Sequence, residues 1–231
     1  MQEMQVYGNN CNSFLVAEAL PQSKHVLVDP GMVVNEARQN CLERLVSEMR
    51  EDGFKVEDVG LVLNTHAHPD HYGASEKIRE MSGATVAIGN NDDDFLKMAG
   101  GEMANALKQM GFEMPEIHPD FYLTEGELRL NENLVAQVIF TPGHSKGSVS
   151  IYWPEAKVLM GGDLIFHGST GRVDIPGGSA DELKQSIERV AELDIEYLFT
   201  GHQYGSPGII QGRENIKRNF DAIRKGIFPY L

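Results

Sequence analysis

Apolar positions along this chain fall into two kinds of pattern, short continuous runs and stripes at helical spacing. Residues 5–7, 13–16 and 25–29 are strand-like runs punctuated by turn residues. Residues 35–50 carry Leu42, Leu45, Val46 and Met49 at helical spacing, and Gly53 stands as a stop signal. The run Gly60-Leu61-Val62-Leu63-Asn64-Thr65 is almost wholly apolar and predicts a strand buried on both faces. Residues 74–81 predict a helix, 85–88 a strand, and 92–110 a helix loosened at Gly100-Gly101. Strands follow at 134–140, 148–153 and 157–160. A helix over 180–193 places Leu183, Ile187 and Val190 on one face and leads to a strand at 197–199. Residues 211–225 close the pattern as an amphipathic helix, and no linker, low-complexity tract or solenoid-length repeat interrupts it. A single domain over residues 1–231 is therefore expected.

Polar clusters stand where the apolar runs stop. The strand predicted at 60–65 runs into His66-Ala67-His68-Pro69-Asp70-His71. Two residues apart on a helix, His66 and His68 would diverge by about 200°, whereas in extended chain they point the same way. Pro69 disfavours a helix across the cluster, and the turn after it can aim Asp70 and His71 at a second point near the first. Four potential ligands within six residues exceed what one tetrahedral ion takes while keeping a position open for water, so two adjacent metals suit the cluster better. Further metal-competent side chains follow other apolar runs, in Thr141-Pro142-Gly143-His144, Gly161-Gly162-Asp163 and Thr200-Gly201-His202. Imidazole nitrogen plus carboxylate oxygen favours zinc, with iron and manganese as alternatives.

Composition narrows the partners. Against 34 acidic residues there are 20 Lys and Arg, a formal net charge of −14, which repels phosphate backbones and anionic membranes. No nucleic-acid or membrane partner is expected, and no apolar stretch approaches the ~20 residues that span a bilayer. The first 20 residues show no basic run followed by an apolar core, so no secretory signal is expected. Two cysteines, Cys11 and Cys41, are too few for a disulfide framework and read as free thiols. A cytoplasmic protein acting on a small molecule is the resulting expectation; oligomeric state is not indicated.

Taken in order, Thr65-His66-Ala67-His68-Pro69-Asp70-His71, His144, Asp163 and His202 resemble the metallo-β-lactamase-fold hydrolase superfamily. The resemblance implies an α+β fold, a four-layer αβ/βα sandwich of two mixed sheets with helices on the outer faces. It implies that His66, His68 and His144 hold one divalent metal, that Asp70, His71 and His202 hold a second, and that Asp163 bridges them. A metal-bridging hydroxide would then be the nucleophile, oriented by Asp70, and a thiolate with a pKa near ~8.5 would depart without a dedicated acid. The stretch Gly162 to Phe166, with Gly171-Arg172-Val173-Asp174 and Pro176-Gly177-Gly178, is closest to short bacterial glyoxalase II-like proteins. Arg172 falls where that group places a glutathione-binding lysine, but Asp174 replaces its glutathione-binding tyrosine. No segment reads as that group's long C-terminal helical domain. The resemblance thus implies hydrolysis of an anionic thioester and leaves the thiol carrier open. Arg172, and less strongly Lys146, are candidates for the substrate's anionic group. His167 reads as packing around the pocket, Tyr204 as a packed strand-end residue, and His25 and His118 as incidental.

Three alternatives share the motif. Persulfide dioxygenases use one iron held by two histidines and a carboxylate, here matching His66, His144 and Asp163. Lactone or β-lactam hydrolysis follows the same metal logic, and a non-catalytic metal-binding module is the third.

Overall fold

Period-two alternation in the strands decides the layering, as a computed structural model describing residues 10–92, 115–203 and 208–231 makes visible. Strands β1 (Phe14–Leu20), β2 (Lys24–Val28), β3 (Val59–Asn64), β4 (Thr85–Gly89) and β5 (Phe121–Leu123) form one sheet in that order. In it β1 and β2 are antiparallel and the remaining neighbours parallel. Strands β6 (Gly126–Arg129), β7 (Val135–Phe140), β8 (Val149–Trp153) and β9 (Val158–Met160) begin a second sheet, and β10 (Ile165–Phe166) with β11 (Ser169–Thr170) makes a separate hairpin. Strands β12 (Tyr197–Phe199) and β13 (Ile209–Gln211) complete the second sheet in the order β13-β12-β9-β8-β7-β6. Only β12 and β9 are parallel there. Among the described residues the α-helices are α1 (Cys41–Glu51), α2 (Pro69–Tyr72), α3 (Ser75–Ser82), α4 (Ala180–Ala191) and α5 (Arg213–Gly226).

Val26, Val28, Leu61 and Leu63 of the first sheet meet Val138, Ile151 and Met160 of the second in one buried cluster between the sheets. The intervening positions Leu27 and Val62 point the other way, against Met49 of α1 and Ile78 of α3. On the far side Ile139, Tyr152, Leu159 and Leu198 pack under Leu183, Ile187 and Val190 of α4 and Phe220 and Ile223 of α5. Four layers result, helix, sheet, sheet and helix, as the αβ/βα expectation required. The strand at 60–65 is buried on both faces because a sheet stands on one side and helices on the other.

Boundaries moved where side chains compete for backbone groups. The helix expected over 35–50 begins only at Cys41, because Asn35 Oδ1 accepts the Ala37 and Gln39 amides in a turn and Asn40 caps Glu43. Strands β5, β6, β10, β11 and β13, each two to four residues long, carry too little periodicity to be read from sequence. The strand expected at 5–7, the helix expected beyond Asp92 to residue 110, and Tyr204 lie outside the described residues.

Strand direction positions the site. β2, β3 and β4 run parallel, so their C-terminal ends share one edge. In the second sheet β12 is parallel to β9, and β7 shares that direction because both are antiparallel to β8. The Val149 amide donates to the Thr65 carbonyl at 2.8 Å and joins the two edges. All the loops bearing the metal-competent residues therefore converge along one rim, where strand ends leave side chains open to a ligand.

Candidate metal centre

The first ligand loop leaves β3 at Asn64, bends over Thr65 to Ala67, and is extended again at His68, whose φ and ψ are −93° and 139°. His66 and His68 still face one region, their ring centroids 4.5 Å apart. A helix does start inside the motif, at Pro69, where proline is tolerated because the first helical amides have no partner to lose. That single turn carries Asp70 and His71 to a neighbouring point. From the second sheet, His144 arrives in the β7–β8 loop, Asp163 after β9 and His202 after β12.

All seven predicted residues are brought together. Ligand atoms of His66, His68 and His144 lie within 4.8 Å of one another, as do those of His66, His71 and Asp163, and those of Asp70, His71 and His202. Asp163 stands between the groups, its Oδ1 3.1 Å from His71 Nε2 and its Oδ2 3.4 Å from both His144 Nε2 and His202 Nε2. Asp70 Oδ2 lies 3.2 Å from His202 Nε2. Gly201 makes the convergence sterically feasible, since a Cβ there would stand 2.2 Å from Asp163 Oδ1.

Hydrogen bonds set the ring orientation. His144 Nδ1 lies 2.8 Å from the Arg172 carbonyl, which can only accept, so Nδ1 carries the proton and Nε2 offers its lone pair. Thr65 Oγ1 donates to Asp29 Oδ2 at 2.8 Å and therefore accepts from His66 Nδ1 at 3.0 Å, leaving His66 Nε2 as the inward lone pair. Asp29 Oδ2 also takes His71 Nδ1 at 2.9 Å, while its Oδ1 accepts the Thr65 amide at 2.7 Å. Buried Asp29 thus orients two histidines at once. Sequence reasoning passed over it, although an acidic residue ending the apolar run at 25–29 was the available signal.

Burial and charge divide the site. Burial, then neighbouring imidazoles, hold His66 and His68 below the usual histidine range, His68 at about 3. His144 is likewise lowered by burial. His71 is buried too, but Asp163 and Asp29 outweigh that penalty and raise it well above the usual range. Burial also opposes charge on His202, yet its bonds to Asp163 and Asp70 lift it to about 9. Asp70, despite burial, is held at about 2 by His202 and His71, and Asp163 is lowered well below the carboxylate range.

A divalent ion fits this donor set. Among the described residues His66 Nε2 and His144 Nε2 are buried with no hydrogen-bond partner, an arrangement that costs free energy unless a cation fills it. The neighbouring carboxylates favour the charged forms of His71 and His202, so metal uptake there competes with protons, whereas burial favours neutral His66, His68 and His144. Between pH 6 and 9 affinity should rise with pH, and protons should be released on loading near neutrality. Calorimetric titration with zinc in buffers of different ionisation enthalpy measures this; release of no protons would contradict the charged pair.

The two candidate substrate residues are placed less simply. Arg172 lies on the rim with its guanidinium in a bidentate pair with Asp174, at 2.8 and 3.0 Å. Lys146 is exposed, two residues beyond His144. Cys11 and Cys41 are free. Cys11 is buried behind the centre, its Sγ 3.5 Å from the Asp29 carbonyl, and burial raises its thiol. Among the described residues no helix is long and apolar enough to cross a membrane.

Residues 6–202 match the metallo-beta-lactamase superfamily, and the chain belongs to that family. Its fold and metal-competent groups are those of a metal-dependent hydrolase. The chain is 33% identical over 201 residues to the probable metallo-hydrolase MJ0888 of Methanocaldococcus jannaschii, covering 85% of this chain and 89% of that protein. It is 31% identical over 165 residues to the hydroxyacylglutathione hydrolase GloC of Haemophilus influenzae, covering 70% of each. Among solved structures, TTHA1623 in a di-iron-bound form superposes with a TM-score of 0.68 at 27% identity, covering 95% of this chain and 98% of that one.

Proposed function

We propose that this chain is a dinuclear metal-dependent hydrolase of a thioester or similarly activated acyl bond, of the glyoxalase II (hydroxyacylglutathione hydrolase) type. The observation that carries this is the pairing of two ligand groups about one carboxylate. His66, His68 and His144 form the first, Asp70, His71 and His202 the second, and Asp163 stands between them. The likeness to a hydroxyacylglutathione hydrolase supports the substrate class. The mixed nitrogen and oxygen donors favour zinc, and the di-iron form of a structural relative keeps iron as the alternative. When bound, two divalent ions supply an acidified water and a Lewis acid for the acyl carbonyl.

The chain's own residues then have distinct tasks. Asp163 would contact both ions and offset part of their charge. Asp70, ionised at every physiological pH, would hold the second ion and could accept a hydrogen bond from the attacking water. A thiolate whose conjugate acid has a pKa near ~8.5 leaves without a proton donor. Arg172 would present its Nε/Nη2 edge to an anionic substrate group by exchanging Asp174 for it, and both side chains are exposed, so the exchange is easy. Asp174→Ala should accordingly lower KM for an anionic thioester by about two- to fivefold with kcat unchanged, and Arg172→Ala should raise it. Steady-state kinetics separate the two parameters; an unchanged KM in both variants removes Arg172 from the substrate site.

The reading as a whole is tested with zinc-loaded protein and S-lactoylglutathione under nitrogen. Hydrolysis without oxygen supports it. Oxygen consumption with glutathione persulfide by an iron-loaded chain would establish the dioxygenase instead. Failure across an ester, thioester and lactone panel would leave a metal-binding module.

A further inference from the structure

Asp92 belongs to none of the metal-competent groups, yet it ties down the chain beside three histidines. β4 ends at Gly89, and the single 3-10 turn Asn90–Asp92 delivers the Asp92 carboxylate to the interior, where the residue is 2% exposed. Its Oδ2 accepts the Ala67 amide at 2.7 Å and the Ser145 hydroxyl at 3.0 Å, and its Oδ1 accepts the Gly147 amide at 2.6 Å. Ala67 separates His66 from His68, and Ser145 follows His144. The Ser145 amide and hydroxyl both reach Ser148 Oγ, at 3.1 and 2.8 Å, so the β7–β8 loop is fixed internally as well. A Cβ at Gly147 would stand 2.5 Å from Asp92 Cγ, and only glycine lets that loop settle onto the carboxylate.

We propose that Asp92 is a positioning residue, a buried carboxylate that sets the distance between the His66–His68 loop and the His144 loop and so the geometry of the three-histidine metal site. This rests on the metal-centre reading above. Three donors on two loops converge on one acceptor-only group, and the loops leave different sheets. Asparagine cannot replace it, because in either orientation its NH2 would face a backbone N–H, that of Ala67 or that of Gly147. Asp92 leaves the second ligand group alone: His71 is oriented by Asp29, and His202 lies against Asp70 and Asp163. The influence of Asp92 should therefore fall on one ion of the pair.

Zinc titration against a chromophoric chelator, with the visible absorption spectrum of the cobalt-loaded protein, tests this in the wild type, Asp92→Asn and Ser145→Ala. Asp92→Asn should weaken one ion by about 10- to 100-fold, leave the other within about twofold and alter the cobalt spectrum. Ser145→Ala, which removes a single donor, should change the same ion in the same direction by less. A folded Asp92→Asn chain with wild-type affinities and spectrum overturns the inference. So does equal weakening of both ions, which marks a general loss of packing. If Asp92→Asn does not fold, the same criteria applied to Ser145→Ala decide the matter. A wild-type chain that takes up one ion overturns the two-metal reading instead, and Asp92 still stands or falls on that ion's affinity and spectrum.

Discussion

Replacing Asp163 by asparagine should cut thioester turnover by about 10³-fold, equivalent to roughly 4 kcal/mol of barrier. Its carboxylate oxygens lie 3.1 to 3.4 Å from three imidazole nitrogens drawn from both ligand groups, so no other side chain can take over its position. The variant should also hold fewer than two metal ions. A second consequence is visible without metal. Asp163 is among the charges that raise His71 and His202, and in Asp163→Asn both should lose their protons at lower pH than in the parent protein. Histidine ring resonances followed against pH read this directly. Turnover within tenfold of wild type, or unmoved titrations, would sink the bridging role.

Asp29→Ala should be the most damaging change outside the ligand set. It strands the Thr65 amide, the Thr65 hydroxyl and His71 Nδ1 in the interior, each without an acceptor. Buried donors left unpaired cost about 1–3 kcal/mol each, so a stability loss of about 3 kcal/mol or more is expected. The metal should bind about 10- to 100-fold more weakly, because His66 and His71 lose the hydrogen bonds that fix their tautomers. Denaturant unfolding of the metal-free chain and a competitive zinc titration measure the two effects separately. Wild-type metal affinity in Asp29→Ala would show that the rings are oriented by packing alone.

Asp29 also marks how far the sequence was legible. The metal-competent residues at 66–71 could be read because their chemistry is local: two histidines two apart at the end of an apolar run, followed by a turn, are recognisable without knowing the fold. The buried strand at 60–65 and the face of α4 were equally plain, since a sheet or helix seam imprints its period on the sequence. Asp29 and Asp92 were not legible as positioning residues, because their partners lie 36 and 42, and 25 to 55, residues away. An isolated aspartate at a strand end looks the same whether it faces solvent or orders two loops. The Arg172–Asp174 pair lay between these cases: both residues were noticed, but only the fold shows each occupying the other.

The number of metals decides most, because a carboxylate that bridges two ions has no purpose with one. Metal analysis of protein purified without added metal, followed by titration to saturation, tests this directly. Two divalent ions per chain at saturation are predicted. A chain that saturates at one iron, with His66, His144 and Asp163 as its ligands, would contradict it.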